Sequence, residues 1–220
     1  MKKLAIAGAV ALALSCQTQA ETILGVYAGS YLWLPNLSGN ADISNTGIDL
    51  DSDDNSASVY VALEHPIPLI PNLRLQATDL SSSSSAEKLD LSHTDATLYY
   101  EILDNWVHLD IGMTARIFDG TVKNKRSGQS VDVDDTVALA YGSAMLELPI
   151  FDLYAAVSGN TTNVGDNEIY DFTARVGWEA ILGLGVEVGY RSFKATMDNV
   201  GNGDIDSTFK GPFAGVTYQF

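Results

Sequence analysis

The last hexamer of the chain alternates strictly between apolar and polar side chains and ends in an aromatic residue. Val216, Tyr218 and Phe220 fall on one face of an extended segment. Thr217 and Gln219 fall on the other. Alternation that runs to the final residue is unusual for a soluble domain, because chain termini usually fray. It is typical of the closing strand of a membrane β-barrel, where one face meets lipid and the other faces the lumen.

Two interior segments show the same alternation over a greater length. Residues 106–118 place six apolar side chains, from Val107 to Ile117, on one face and mostly polar side chains on the other. Residues 170–180 repeat the pattern with their even-numbered positions apolar. Each segment is about as long as a tilted transmembrane strand, which needs roughly 9–11 residues. Both segments therefore predict membrane-crossing strands.

Eight further segments alternate more weakly, so the chain predicts ten strands. They are residues 22–34, 56–65, 73–80, 88–102, 136–148, 153–161, 186–194 and 208–220. Short connectors alternate with mostly longer polar ones, which is the asymmetry between the periplasmic turns and extracellular loops of outer-membrane barrels. We predict an all-β fold, an antiparallel up-and-down transmembrane β-barrel of ten strands with both termini on the periplasmic side. Eight strands is the alternative, if two short segments are loop hairpins.

The start of the chain has the pattern of a cleaved secretory signal. Two lysines precede an apolar run over residues 4–15, and Ala20 supplies the small residue before the cleavage point. The run is too short for a membrane-spanning helix of about 20 residues. We expect residues 1–20 to be the signal and residues 21–220 to be the barrel domain. Lipid modification at Cys16 is the alternative, but Ala13 stands where lipoprotein signals usually have leucine.

Composition and charge narrow the choice of partners. Hydrophobic residues make up 46% of the chain, yet its formal charge is −16, and loss of Lys2 and Lys3 with the signal would make it −18. A barrel reconciles the two, because its apolar side chains face lipid and its polar ones face inward or lie in loops. So acidic a surface argues against a nucleic-acid partner. The expected partners are outer-membrane lipid and lipopolysaccharide, bridged by divalent cations.

A proline-rich segment carries a resemblance to a known family. The run from Glu64 to Leu75 reads EHPIPLIPNLRL, a first strand that reads LGVYAG begins at Leu24, and the chain ends in Phe220. With these three features, the chain resembles a family of uncharacterised bacterial outer-membrane β-barrel proteins. Members of that family have an E-H-P-[IV]-P periplasmic turn and a C-terminal Phe. The resemblance covers the whole chain after the signal. It implies a barrel and brings no catalytic residues.

Prolines give the turn a physical role of its own. Each fixes φ and removes a backbone donor, so the segment stops both flanking strands. The residues we assign to this periplasmic turn are Glu64, His65, Pro66, Pro68, Pro71 and Asn72. We expect a rigid turn that sets register, with a contact for an assembly or periplasmic partner as the alternative. Val216, Tyr218 and Phe220 are the expected signal for the barrel-assembly machinery.

Strand parity predicts a set of charged side chains in the lumen. These are Arg74, Glu101, Asp110, Arg116, Arg175, Glu179, Glu187 and Arg191. Opposite charges in a closed lumen are expected to pair, because an unpaired buried charge is costly. We expect a structural salt-bridge core that fills a narrow barrel. The alternative is a polar conduit for small solutes.

Two other groups of residues are weak candidates for a catalytic site and for a metal site. His93 and Asp95 share a strand face close to the serine run at residues 81–85, as a histidine-based hydrolase would require. His-x-Asp is a common chance pattern and a serine run is usually a solvated loop, so we do not expect catalysis. The acidic loops offer oxygen ligands to Ca²⁺ or Mg²⁺, with Asp49, Asp51 and Asp53 as weak candidates, but they lack the glycine and distal glutamate of an EF-hand.

The sequence thus predicts a monomeric integral outer-membrane β-barrel protein with a structural or surface-interaction role. We expect no enzymatic activity and no cofactor. A narrow channel for small or cationic solutes is the alternative function, and a hydrolase that uses His93 is a third.

Overall fold

The computed structural model describes residues 24–43, 46–52, 54–67, 69–83, 87–148, 150–164, 167–180, 182–200 and 203–220. The expected signal at residues 1–20 lies outside them. The described residues form sixteen strands: β1 (Gly25–Trp33), β2 (Asn36–Ile43), β3 (Thr46–Ser52), β4 (Ser56–Glu64), β5 (Asn72–Asp79), β6 (Ser81–Ser83), β7 (Glu87–Asp90), β8 (His93–Asp104), β9 (Val107–Phe118), β10 (Gly120–Asn124), β11 (Ser130–Val133), β12 (Thr136–Leu148), β13 (Leu153–Val164), β14 (Asn167–Glu179), β15 (Leu184–Val200) and β16 (Gly203–Gln219). Within these ranges, no helix is both long enough and apolar enough to span a membrane.

Ten of the strands close an antiparallel barrel. They follow one another in the order β1, β4, β5, β8, β9, β12, β13, β14, β15 and β16. The barrel closes where β16 pairs with β1, with Tyr218 opposite Ala28 and Phe213 opposite Trp33. The prediction of a ten-stranded antiparallel up-and-down barrel is confirmed, and the eight-stranded alternative is wrong.

Strand alternation sorts the side chains between the two faces of the barrel wall. On β9, Leu109, Ile111, Met113 and Ile117 are exposed on the outer face. Their neighbours on the inner face, which include Arg116, are increasingly buried toward the end of the strand. Successive side chains of a strand point to opposite faces, so one strand supplies both an apolar exterior and a polar interior.

The two ends of the barrel differ. At one end, which we call the turn end, short connectors join β4 to β5, β8 to β9, β12 to β13 and β14 to β15. Both β1 and β16 also have their outer termini there, since Phe220 donates its backbone N–H to the carbonyl of Val26 over 2.9 Å. At the other end, which we call the loop end, the connections from β1 to β4, from β5 to β8 and from β9 to β12 are longer and hold additional strands. Only two residues separate β13 from β14 and β15 from β16. The loops expected at residues 162–167 and 195–207 are therefore wrong, because these four strands extend through most of both ranges.

The loop end is more regular than the sequence indicated. The predicted loops at residues 35–55, 81–87 and 119–135 contain β2, β3, β6, β10 and β11. The hairpin of β2 and β3 extends the barrel sheet through β16, and β11, β10, β7 and β6 form a separate four-stranded sheet. The predicted strand over residues 88–102 is in fact two strands, because β7 joins that separate sheet and β8 joins the barrel.

An apolar cluster fills the barrel at the loop end. We call it the loop-end plug; its most buried members include Leu80, Leu91, Phe118, Leu139, Ile169, Phe193 and Phe209. Leu89 of β7, Val122 of β10 and Val133 of β11 belong to the same cluster. The four-stranded sheet therefore packs onto the barrel, and the two share one core. Val137 and Leu139, apolar residues on the inner face of β12, also belong to this plug.

Candidate functional site

Four charged side chains form a network across the middle of the lumen. Arg116 of β9 lies opposite Asp95 of β8 and donates to it from Nε over 2.7 Å and from Nη2 over 2.6 Å. Arg116 Nη2 also donates to Asp171 Oδ2 of β14 over 2.7 Å. Arg191 of β15 donates to both oxygens of Asp171 over 2.8 and 2.7 Å. We call these residues the central network.

The central network ties together strands from two sides of the barrel. Arg116 has 0% exposure, and the two carboxylates and Arg191 are also buried. Charges this deep are tolerated only when they are paired and hydrogen-bonded. Aromatic rings surround them further, since the guanidinium carbon of Arg191 lies 4.9 Å from the centre of the Trp33 ring and that of Arg116 lies 5.4 Å from the centre of the Phe193 ring. The network and the loop-end plug are therefore in direct contact.

A second charged layer lies nearer the turn end. Arg175 Nε of β14 lies 3.1 Å from Glu187 Oε1 of β15. The Tyr154 hydroxyl donates to the same carboxylate, and Arg175 Nη1 donates to Ser158 Oγ over 3.1 Å. Gly177 lies beside the ring of Tyr154, where a Cβ atom would overlap that ring. The glycine on β14 therefore makes room for the tyrosine that holds Glu187.

Arg74 of β5 differs from the other interior arginines. Its guanidinium carbon lies 4.0 Å above the centre of the Tyr60 ring, and its Nη2 donates to Gln76 Oε1 over 3.0 Å. Among the described residues, no carboxylate lies within 4.0 Å of it. The expectation that every lumen charge pairs with an opposite charge is therefore wrong for Arg74.

An interior cavity of about 70 Å³ separates these layers. Arg74, Arg175 and Arg191 line it together with the two carboxylates of the central network. Its remaining walls are aromatic or carry hydroxyl and amide groups, including Tyr31, Trp33, Tyr141, Ser158 and Asn160. A volume of this size has room for only a few water molecules. The cavity is thus a small polar space with mixed charge and three guanidinium groups.

The remaining predicted lumen charges lie at the rim of the turn end. Glu101 and Glu179 are exposed, and Asp110 is partly buried beside Ser143. Glu101 and Glu179 are thus not part of the interior network, because they are among the last inward positions of their strands, where the lumen opens. The rim also holds His108, whose ring nitrogens lie 3.2 Å from Asp104 Oδ1 and 3.0 Å from Glu147 Oε1.

Among the described residues, the groups that contact His93 are not those that a histidine-based hydrolase needs. Its ring is buried between Phe118 and Phe193, and Nδ1 forms a 2.8 Å hydrogen bond with the carbonyl of Leu91. Asp95 is bound to Arg116 and does not orient the imidazole. Ser81–Ser83 form β6, which pairs with β7. The histidine therefore belongs to the loop-end plug.

The proline-rich turn connects β4 to β5 and is held by side chains around it. The His65 N–H donates to Asn72 Oδ1 over 3.0 Å, and the Tyr99 hydroxyl donates to Glu64 Oε1 over 2.6 Å. The Ile67 N–H donates to His65 Nδ1 over 3.3 Å, and Tyr100 donates to the carbonyl of Leu69 over 3.0 Å. Pro66 is exposed, Pro71 is partly buried and Pro68 lies outside the described residues. These bonds fix where β5 begins.

The three acidic residues predicted as weak metal ligands have side chains that lie outside the described part of the chain. Asp49 and Asp51 lie on β3, paired with β2, but their side chains are outside the described part of the chain, as is all of Asp53. Among the described residues, no group of three or more His, Cys, Asp or Glu side chains is placed to hold a metal ion.

The closing strand places its aromatic residues together at the turn end. The rings of Tyr218 and Phe220 meet edge to face with centres 4.4 Å apart, and Val216 is exposed on the outer face. Trp106 and Trp178 are also exposed. A group of aromatic residues at one end of a barrel is typical of the boundary between membrane and water.

Fold and interior together define a class: a closed ten-stranded antiparallel β-barrel with an apolar exterior and a charged, filled lumen. No protein-family model matches the sequence. No curated protein sequence matches it either. Among solved structures, the chain is similar to the translocator domain of the autotransporter NalP from Neisseria meningitidis, with 13% identity, coverage of 97% of this chain and 93% of that chain, and a TM-score of 0.37. The barrel assignment rests on the strand pairing of the chain itself.

Proposed function

We propose that the chain is a monomeric integral protein of the bacterial outer membrane, with a sealed lumen and a structural or surface-interaction role. The observation that carries this proposal is the continuous core at the loop end. The loop-end plug fills the barrel and extends into the four-stranded sheet outside it. Such an arrangement favours a barrel that presents a rigid β-structure over one that passes solutes.

The outer face of the barrel supports membrane placement. Exposed apolar side chains occur on strands around the whole circumference, for example Leu75, Leu98, Met113, Val157 and Val188. Soluble monomers rarely expose contiguous apolar patches of more than a few hundred Å². A surrounding bilayer would remove this area from water, so outer-membrane lipid is the proposed environment. Lipopolysaccharide would then be the neighbour of the loop end.

The lumen favours a sealed barrel over a channel. A solute that crossed from end to end would meet the central network and then the loop-end plug. Phe118, Phe193 and Phe209 have at most 2% exposure. Opening a path would separate buried charge pairs and expose these rings to water, and both changes are costly. The buried position of His93 likewise favours a non-enzymatic role.

Single-channel recording tests the proposal. The refolded protein is reconstituted in a planar bilayer, with a porin of known conductance added afterwards as a positive control. We expect no discrete current steps before the porin is added. Insertion is checked separately by heat-modifiable gel mobility, because folded outer-membrane barrels migrate differently before and after boiling. Steady steps from protein with correct mobility would contradict the sealed lumen, and identical mobility before and after boiling would contradict the membrane barrel.

A further inference from the structure

We propose that the interior cavity binds a small anion, of the size of a halide, nitrate or formate ion, between Arg74 and Arg175. This site is distinct from the sealed-barrel role and does not depend on it. The argument rests on the hydrogen bonds already made in the lumen, on the balance of charge around the cavity and on the size and lining of the cavity.

The carboxylates that line the cavity are already occupied. Asp95 and Asp171 accept five hydrogen bonds from Arg116 and Arg191. A guanidinium group carries five N–H donors. Within the described part of the chain, Arg74 uses one of them, toward Gln76, and it has no acidic partner within 4.0 Å. Donors of Arg74 therefore remain for a ligand in the cavity.

Positive charges outnumber negative charges around the cavity, and this excess also favours the binding of an anion. Arg74 and the two interior layers together hold four arginines, Arg74, Arg116, Arg175 and Arg191, against three carboxylates, Asp95, Asp171 and Glu187. Arg74 and Arg175 line the same small space and repel each other. An anion between them would relieve this repulsion and supply the missing negative charge. The excess is local, because the chain as a whole is strongly acidic.

Size and lining limit the ligand to a small anion. A volume of about 70 Å³ admits only a few non-hydrogen atoms. Hydroxyl and amide groups of Tyr141, Ser158 and Asn160 add hydrogen-bond donors, and the rings of Tyr31 and Phe213 line the remaining wall. Charged hydrogen bonds are stronger in such low-dielectric surroundings than in water. The carboxylates at the rim of the turn end would slow entry, so binding is measured after equilibration.

Trp33 provides a probe inside the cavity. It lines the cavity with 1% exposure, whereas Trp106 and Trp178 are exposed on the outside. A background with Trp106→Phe and Trp178→Phe leaves Trp33 as the single tryptophan of the three in the chain. Iodide, which quenches indole fluorescence on contact, is titrated against gluconate at constant ionic strength, because gluconate is too large for the cavity. Acrylamide serves as the neutral quencher.

We expect iodide quenching that saturates, is relieved by chloride and has no counterpart with acrylamide. Arg74→Gln should weaken iodide binding by at least about tenfold, since it removes a charged donor. Arg126→Gln is the matched control, because it removes one exposed positive charge at the loop end and should leave binding unchanged. Non-saturating quenching of the parent protein overturns the proposal without any variant. Unchanged affinity in an Arg74→Gln protein with normal heat-modifiable mobility overturns it as well.

Discussion

At the scale of single residues, Arg116 holds the centre of the lumen together. It has 0% exposure and bridges Asp95 and Asp171, which come from different strands. Arg116→Met would keep most of the buried volume and remove the charge, so Asp95 would lose both of its bonds to the guanidinium. Removing one partner of a buried ion pair typically costs about 3–5 kcal/mol. We expect a loss of this size in the free energy of unfolding, measured by urea titration of the protein refolded in lipid vesicles.

Arg126→Met is the control for this substitution, because it makes the same chemical change at an exposed residue. Surface substitutions usually change stability by less than about 0.5 kcal/mol. Arg116→Lys separates charge from geometry, since an ammonium group cannot reproduce the forked bonds to two carboxylates. Equal losses in Arg116→Met and Arg126→Met would show that the central network does not stabilise the barrel.

The alternation pattern of the sequence predicted some of the interior charges but not how they pair. Strand parity placed Arg116, Arg175 and Arg191 on the inner face, and the structure has them there. It did not assign Asp171 to the network, and it associated Asp95 with His93 on the same strand. Which carboxylate an arginine pairs with depends on which residues lie opposite one another on neighbouring strands. Alternation within one strand does not specify that register.

At the scale of elements, the turn between β14 and β15 has a demanding conformation. Leu182 and Gly183 both have positive φ, of 63° and 76°. The carbonyl of Gly183 accepts from the N–H of Gln219 over 2.8 Å, so this turn contacts the closing strand. A Cβ atom on Gly183 would overlap the carbonyl oxygen of Gln219. We expect Gly183→Ala to lower the free energy of unfolding by about 2 kcal/mol or more, from backbone strain and from this overlap.

Gly128→Ala is a matched control for the turn. Gly128 has the same φ of 76°, but a Cβ atom there would meet no atom within 4 Å. It should therefore cost only the left-handed backbone penalty of about 1–2 kcal/mol. The difference between the two variants in urea unfolding measures the steric contact with β16. If Gly128→Ala costs as much as Gly183→Ala, the contact with the closing strand contributes nothing.

Elements also differ in how well their sequences predict them. Long strands such as β9 and β14 were evident because one face meets an apolar phase and the other a polar lumen. Three of the strands that were not predicted at the loop end, β6, β10 and β11, are three to five residues long, and alternation over such lengths is not distinctive. The alternation of β12 is weak for a different reason, because its inner face carries the apolar residues Val137 and Leu139. They pack into the loop-end plug, so the usual polar inner face is absent there.

At the scale of the whole molecule, the asymmetry between the two ends predicts an orientation. The turn end holds four short connectors and the terminus of β16, whereas three connections at the loop end are long and contain additional strands. Outer-membrane barrels have short periplasmic turns and longer extracellular loops. We therefore expect the four-stranded sheet to lie outside the cell. Ser127→Cys, at the loop end, and Asn105→Cys, at the turn end, each introduce a thiol at an exposed position, in a Cys16→Ser background.

Labelling of intact cells with a membrane-impermeant maleimide that is too large to pass through porins should modify Cys variants of Ser127 and leave those of Asn105 unmodified. Both should react after the cells are lysed, which shows that each thiol is accessible once the membrane barrier is removed. The reverse pattern would mean that the barrel is inserted with its plugged end toward the periplasm. Equal labelling in intact cells would mean that both ends face the same compartment, and that no membrane surrounds the apolar exterior. A barrel that spans the bilayer separates its two ends in this way, so the experiment tests both the membrane placement of the apolar exterior and the orientation of the barrel.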